Sequence, residues 1–159
     1  AGLIEAALER GLRTVLNPSP FDASLLKAPL ERLYALIVNE TEARGFLADE
    51  AEGVEAAGLM ALLERRYPDV NLILTLGSRG ACGRVPGAEP FFVPAVKMKA
   101  VDTTGAGDTF AGDAVAALAA GEDLRTAMNR AAKASAISVT REGAATSIPR
   151  RSEVEALAV

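Results

Sequence analysis

Apolar residues recur along this chain in two alternating rhythms. Over residues 1–10, AGLIEAALER, Leu3, Ile4, Ala7 and Leu8 share one side of a helix, and Gly11 stops it. Arg13 to Leu16 reads as a short buried strand closed by Asn17-Pro18. Leu33 to Val38 is a continuous apolar run of strand length, and Asn39 leads from it into the helical ETEARGFL. Glu52 to Tyr67 has helical spacing, with Leu59, Leu62 and Leu63 on its apolar face, and Pro68-Asp69 break it. NLILTLGSRGACGRV reads as strand, glycine turn and second strand, and EPFFVPAVK as an extended stretch punctuated by prolines. A glycine-rich segment follows, then a helix to about Ala120, ended by Gly121. Asp123 caps a further helix to roughly Val139, TREGAATSIP forms a loop, and a last short helix fits Arg151 to Leu157.

Strands that are apolar throughout, alternating with helices, argue for a layered α/β fold with a mostly parallel sheet. Ligands in such sheets sit at the carboxyl ends of the strands. Three polar turns follow expected strands: NETE at 39–42, TLGSRG at 75–80 and DTTGAGD at 102–108. All three are therefore expected at one edge. Opening on a helix that feeds a strand, the chain reads as the second half of a βα repeat, cut from something longer. No internal repeat, low-complexity segment or domain boundary stands out, so residues 1–159 are read as one domain portion.

Composition then removes function classes. The chain has 159 residues, enough for a real core, and half of them are apolar. Alanine is abundant, which favours closely packed helices. The net charge of −4 argues against a nucleic-acid surface, which needs a basic patch. There is one cysteine, Cys82, read as a small apolar core residue, and no histidine. Those counts exclude an internal disulfide, a Cys/His zinc site and His-dependent triads in cis. No stretch approaches a membrane span and no leader-like segment opens the chain, so a cytoplasmic protein without membrane partners is expected.

The stretch VDTTGAGDTFAG, Val101 to Gly112, packs three glycines, three threonines and two aspartates ahead of an apolar helix. Gly105 and Gly107 allow close backbone approach and positive φ. The helix start that follows offers unpaired N–H groups and partial positive charge, an anion site suited to phosphate. It is not a P-loop, since no G-x-x-x-x-G-K-[ST] is present. The spacing Gly105-x-Gly107-x-x-Phe110 also lacks the third glycine of a dinucleotide fingerprint. An Asp in a helix's first turn is commonly a cap, yet Asp108 inside an anion site weakens phosphate binding unless it has a task. A general base beside a phosphoryl group has one. Asp102 reads either as a turn-forming residue or, functionally, as a cation ligand or loop brace.

DTTGAGDTFAG closely resembles the second signature of the ribokinase family of carbohydrate kinases, the PfkB superfamily. In its D-T-x-G-A-G-D-x-F-x-x-G pattern, Asp102, Thr103, Gly105, Ala106, Gly107, Asp108 and Phe110 fit, and the last glycine falls one residue early at Gly112. LNPSP at 16–20, VNETEA at 38–43, TLGSRGA at 75–81 and SVTREGAATSIP at 138–149 resemble further family segments in the family's order. Separately, Asn39 is an ordinary helix cap, TLGSRG an ordinary turn and REGAATS an ordinary loop. Their correlated order is what favours the family.

The resemblance implies a three-layer ribokinase-like fold, of which the chain holds the C-terminal half. The N-terminal half and the β lid are missing. It implies that Asp108 deprotonates a sugar's primary hydroxyl and that the amides of Gly105, Ala106 and Gly107 form the anion hole. Asn39 and Glu42 match positions near the phosphates and their Mg²⁺. Thr75, Gly77, Ser78 and Gly80 match the nucleotide turn. Asp102 and Thr104 match ligands of a monovalent cation, usually K⁺, joined by backbone carbonyls of Ser138, Arg141 and Gly143 and the hydroxyl of Ser147.

The activity so implied is phosphoryl transfer from Mg-ATP to a sugar. Ribose comes first, because the NPSP, NETEA and TREGA segments are more ribokinase-like than adenosine-kinase-like. Two departures matter. Ala132 stands where several relatives carry an Asn near the nucleotide, and the sugar-contacting half is absent. The chain alone is therefore expected to transfer phosphate poorly, and its cut sheet to favour association with itself, as a homo-oligomer. The alternative reading is a non-catalytic nucleotide-binding or regulatory module. A dinucleotide-dependent oxidoreductase ranks third, for want of the full fingerprint.

Overall fold

A computed structural model of the protein describes residues 2–158. Ala1, the first residue of the expected opening helix, and Val159 lie outside the described residues. In chain order the regular elements are α1 (Gly2–Glu9), β1 (Val15–Leu16), β2 (Ala35–Asn39), α2 (Glu40–Leu47), α3 (Ala56–Arg66) and β3 (Asn71–Thr75). They continue with β4 (Gly80–Arg84), β5 (Phe91–Pro94), α4 (Ala106–Ala119), α5 (Leu124–Ser138) and α6 (Arg151–Ala156). The strands form one sheet in the order β1-β2-β3-β4-β5. β1 pairs parallel with β2, and β2 parallel with β3, Ala35 opposite Asn71 and Asn39 opposite Thr75. The links at 76–79 and 85–90 are too short for parallel crossovers, so β3, β4 and β5 join as hairpins. The sheet is thus mixed: the α/β character holds, and the parallel part is β1 to β3.

The chain divides into two compact units, one holding residues up to Leu76 with Cys82–Phe91, the other Gly77–Ala81 with residues from Phe92 onward. No composition shift marks this division, because its breaks fall just before β4, within β4 and within β5 rather than in a linker.

In the first unit Ala35, Leu36, Ile37 and Val38 are all buried, as are Leu72, Ile73 and Leu74. Side chains alternate between sheet faces, so both faces of β2 and β3 are covered, which explains the unbroken apolar runs. Leu36, Val38, Leu72 and Leu74 pack with Phe46, Leu59 and Leu63 in one cluster. Phe21 and Tyr67 meet the Phe46 ring edge-on, at 4.9 and 6.5 Å between centroids. Cys82 is half-buried against this core. α3 begins at Ala56 rather than Glu52, because a 3₁₀ turn covers Ala48–Ala51 and Gly53 sits at φ +68.

In the second unit α4 and α5 pack through small residues. Ala111, Ala114 and Ala117 of α4 and Ala127, Ala131 and Ala134 of α5 are buried, so the abundance of alanine serves close helix approach. Arg130 clamps the pair: Nε donates to Asp113 Oδ2 at 2.9 Å and Nη1 to Glu122 Oε1 at 2.6 Å. Asp123 Oδ1 accepts from Thr126 N at 2.9 Å, giving α5 the cap its sequence announces. Gly121, at φ +92, ends α4 as expected. Among the described residues no helix is long and apolar enough to cross a membrane.

Candidate active site

Residues 95–105 have no regular secondary structure. DTTGAGD therefore does not follow a strand directly, as the sequence suggested: β5 ends at Pro94 and an irregular segment intervenes. Backbone bonds anchor that segment instead. The amides of Val101 and Asp102 both donate to Val139 O, at 2.7 and 3.2 Å.

α4 starts from Gly105, whose φ of +74 is the left-handed conformation that glycine adopts without strain. No side chain caps this start. The contrast with α2 and α5 is chemical, since polar side chains close the ends of both. The Ala106 amide donates to Thr103 O at 3.2 Å in a turn, so Gly107 supplies the next donor along the helix start. A Cβ at Gly107 would meet nothing within 4 Å, and Gly107 and Asp108 are both exposed. An open, positively polarised helix end with a carboxylate in its first turn is what the sequence anticipated.

Thr109, next along, is buried, and its Oγ1 finds no hydrogen-bond partner among the described residues. A buried unpaired hydroxyl costs about 1–3 kcal/mol. Thr109→Val, which keeps the shape, is therefore expected to raise stability by about 1 kcal/mol. A higher urea midpoint checks this, and a lower one would show that the hydroxyl has a partner.

Asp102 braces the loop. Its Oδ1 accepts from Thr104 N and its Oδ2 from Gly143 N, both at 2.9 Å. Hydrogen bonds from Thr104, with that from Gly143 behind them, hold its carboxyl below the usual carboxylate range. The turn-forming and bracing readings of Asp102 thus coexist. Gly143 sits at φ +85, and a Cβ on Gly105 would lie 3.2 Å from Ala144 Cβ.

The other expected cation ligands occupy the same stretch of chain. Ser138 is buried, its Oγ donates to Ser135 O at 2.8 Å, and its carbonyl accepts from Arg141 N at 3.1 Å. The Arg141 side chain pairs with Glu153. Ser147 is buried and donates to Ala144 O at 2.7 Å. Among the described residues no three His, Cys, Asp or Glu side chains converge as a metal-binding group.

In the first unit, Asn39 and Glu42 form a reciprocal capping box at the start of α2. Asn39 Oδ1 accepts from Glu42 N at 2.8 Å, and Glu42 Oε2 accepts from Asn39 N at 2.9 Å. The ordinary cap reading of Asn39 is therefore observed, and Glu42 is buried in that role. Thr75 ends β3, its Oγ1 donating to Val38 O at 3.3 Å. In the second unit, Gly77 and Ser78 are exposed in a 3₁₀ turn leading to Gly80. Gly77 has φ +58 and Gly80 φ +127. Ala132 is a buried alanine of α5.

Sequence reasoning missed Ser135, whose Oγ donates across to Ala106 O at 3.0 Å. No local signal marks a mid-helix serine for a partner 29 positions away.

Known proteins resemble this chain. The pfkB family carbohydrate kinase pattern matches residues 3–151. The ribokinase of Schizosaccharomyces pombe is 35% identical over 160 residues, covering 96% of this chain and 48% of that protein. The crystal structure of a Cryptococcus neoformans ribokinase in complex with ADP superposes with a TM-score of 0.83 at 34% identity, covering 97% of this chain and 56% of that one. An Arabidopsis thaliana ribokinase complexed with ribose and ATP gives 0.78 at 25% identity, covering 96% and 49%. The chain thus spans about half the length of the curated relatives it matches. With an open glycine helix start, a braced aspartate beside it and a family match along nearly its whole length, the chain belongs to the pfkB family of carbohydrate kinases.

Proposed function

We propose that the protein is an ATP-dependent sugar kinase that phosphorylates a primary hydroxyl, with ribose as first candidate. The observation that carries this reading is the start of α4: uncapped, opened by left-handed Gly105, with free space at Gly107 and exposed Asp108 in its first turn. Ribokinases among the relatives, one of them solved with ribose and ATP, support the choice of substrate.

In this reading Asp108 takes the proton of the sugar hydroxyl as its oxygen attacks the γ-phosphorus. A new O–P bond forms, the bond to the β-phosphate oxygen breaks, and ADP leaves. The Gly107 amide, with that of Gly105 in the loop, faces the charge that develops on the transferred group, while the Ala106 amide, expected to join them, is engaged with Thr103 O at 3.2 Å. In the second unit Gly77, Ser78 and Gly80 are the candidate nucleotide-binding residues; in the first, Thr75, Asn39 and Glu42 are further candidates by the family resemblance. Mg²⁺, when bound, neutralises phosphate charge. Asp102 and Thr104, with carbonyls of Ser138, Arg141 and Gly143 and the Ser147 hydroxyl, would hold K⁺, which balances the Asp102 charge. A cytoplasmic setting goes with these requirements.

Calorimetric titration with Mg-ATP, in K⁺ and then in tetramethylammonium, tests the nucleotide and cation parts together. Affinity is expected to be at least about fivefold higher in K⁺. Equal affinity in the two salts would remove the cation assignment, and no binding in either would refute the nucleotide site.

A further inference from the structure

Ser135 behaves unlike the hydroxyls beside it. Serine and threonine inside helices ordinarily turn back on a carbonyl of the preceding turn. Ser138 does so onto Ser135 O at 2.8 Å, and Thr140 onto Ile137 O at 2.7 Å. Ser135 instead leaves its own helix and donates to Ala106 O, in the first turn of α4, at 3.0 Å.

That carbonyl belongs to the same peptide group as the Gly107 N–H. A trans peptide is planar, so its C=O and N–H point opposite ways. Holding the oxygen toward α5 aims the Gly107 N–H away from α5, out of the open helix start. A hydrogen bond accepted by the carbonyl also polarises the amide and strengthens its N–H as a donor. The rest of the loop is held by other means, through the Asp102 bonds to Thr104 and Gly143 and the approach of Ala144 to Gly105. Ser135 is the side chain that fixes this one peptide plane from the neighbouring helix.

We propose that Ser135 is a positioning residue for phosphoryl transfer, setting the direction and donor strength of the Gly107 amide through the Ala106 carbonyl. The proposal rests on the kinase reading above. Its effect belongs to the transition state, where charge on the transferred group is greatest.

The test uses Ser135→Ala and Ser135→Thr in the complete protein, with isotope-labelled glycine for NMR and steady-state kinetics with ribose. S135A is expected to move the Gly107 amide proton upfield. It should lower kcat about tenfold, less than the loss of a direct oxyanion donor, with KM for ATP changed less than about twofold. S135T, which keeps the hydroxyl, should restore both. An unmoved Gly107 resonance, an unchanged kcat, or a loss that S135T does not rescue would each overturn the proposal while leaving the kinase reading standing. Absence of sugar phosphorylation by the unsubstituted protein would refute the kinase reading itself, and the proposal with it.

Discussion

Asp108→Asn is expected to lower kcat by about 10²–10⁴-fold while leaving Mg-ATP affinity nearly intact. The substitution keeps the size and shape of the side chain and removes its ability to accept a proton. Asp108 lies exposed in the first turn of α4, and no side chain caps that helix, so its loss removes no structural cap. Removing a negative charge at a helix start favours phosphate binding rather than opposing it. The loss should therefore appear in kcat alone, and unfolding should change little. Turnover retained to within a few-fold would show that Asp108 is not the base.

Gly80→Ala carries the largest expected loss of stability. A Cβ there would lie 2.2 Å from Val93 O, 2.9 Å from Ala95 N and 2.9 Å from the Pro94 Cα. All three are backbone atoms of the chain running alongside, so no flexible side chain can yield. The φ of +127 adds strain for any residue with a Cβ. Overpacking and backbone strain together cost about 3 kcal/mol or more. The Ala95 amide bond to Arg79 O, at 3.3 Å, would be disturbed as the strands part. Gly77 is the internal control. It has φ +58 and open space around it, so Gly77→Ala should cost only about 1 kcal/mol. Urea unfolding of the two variants checks the contrast, and equal midpoints would contradict it.

How much of this was legible in the sequence depends on where the signal lies. α2, α4 and α5 were readable because their ends carry chemistry: Asn39, Gly105 with Gly107, Gly121 and Asp123. The apolar runs of β2 and β3 were readable because both faces of those strands are buried. β1 shrinks from the expected Arg13–Leu16 to Val15–Leu16, since polar Arg13 and Thr14 lie at its exposed end. The hairpins β3-β4-β5 were present in the sequence as short links, yet the period of apolar residues does not report strand direction. The irregular stretch before the glycine loop was hidden, because prolines mark extended chain without saying whether it pairs.

The site divides in the same way. The glycines and Asp108 are local, and their spacing announces an anion site. The link from Asp102 to Gly143 spans 41 positions, and that from Ser135 to Ala106 spans 29. Such bonds depend on how α4 and α5 pack, which the sequence indicates only as an excess of alanine.

The central claim is phosphoryl transfer to a sugar, and phosphorus NMR of the complete protein with Mg-ATP, K⁺ and ribose tests it most directly. The account predicts ADP together with a new phosphomonoester on the primary carbon of the sugar. ATP that binds yet stays intact, or is hydrolysed to inorganic phosphate with no sugar ester across a panel of pentoses and hexoses, would contradict it.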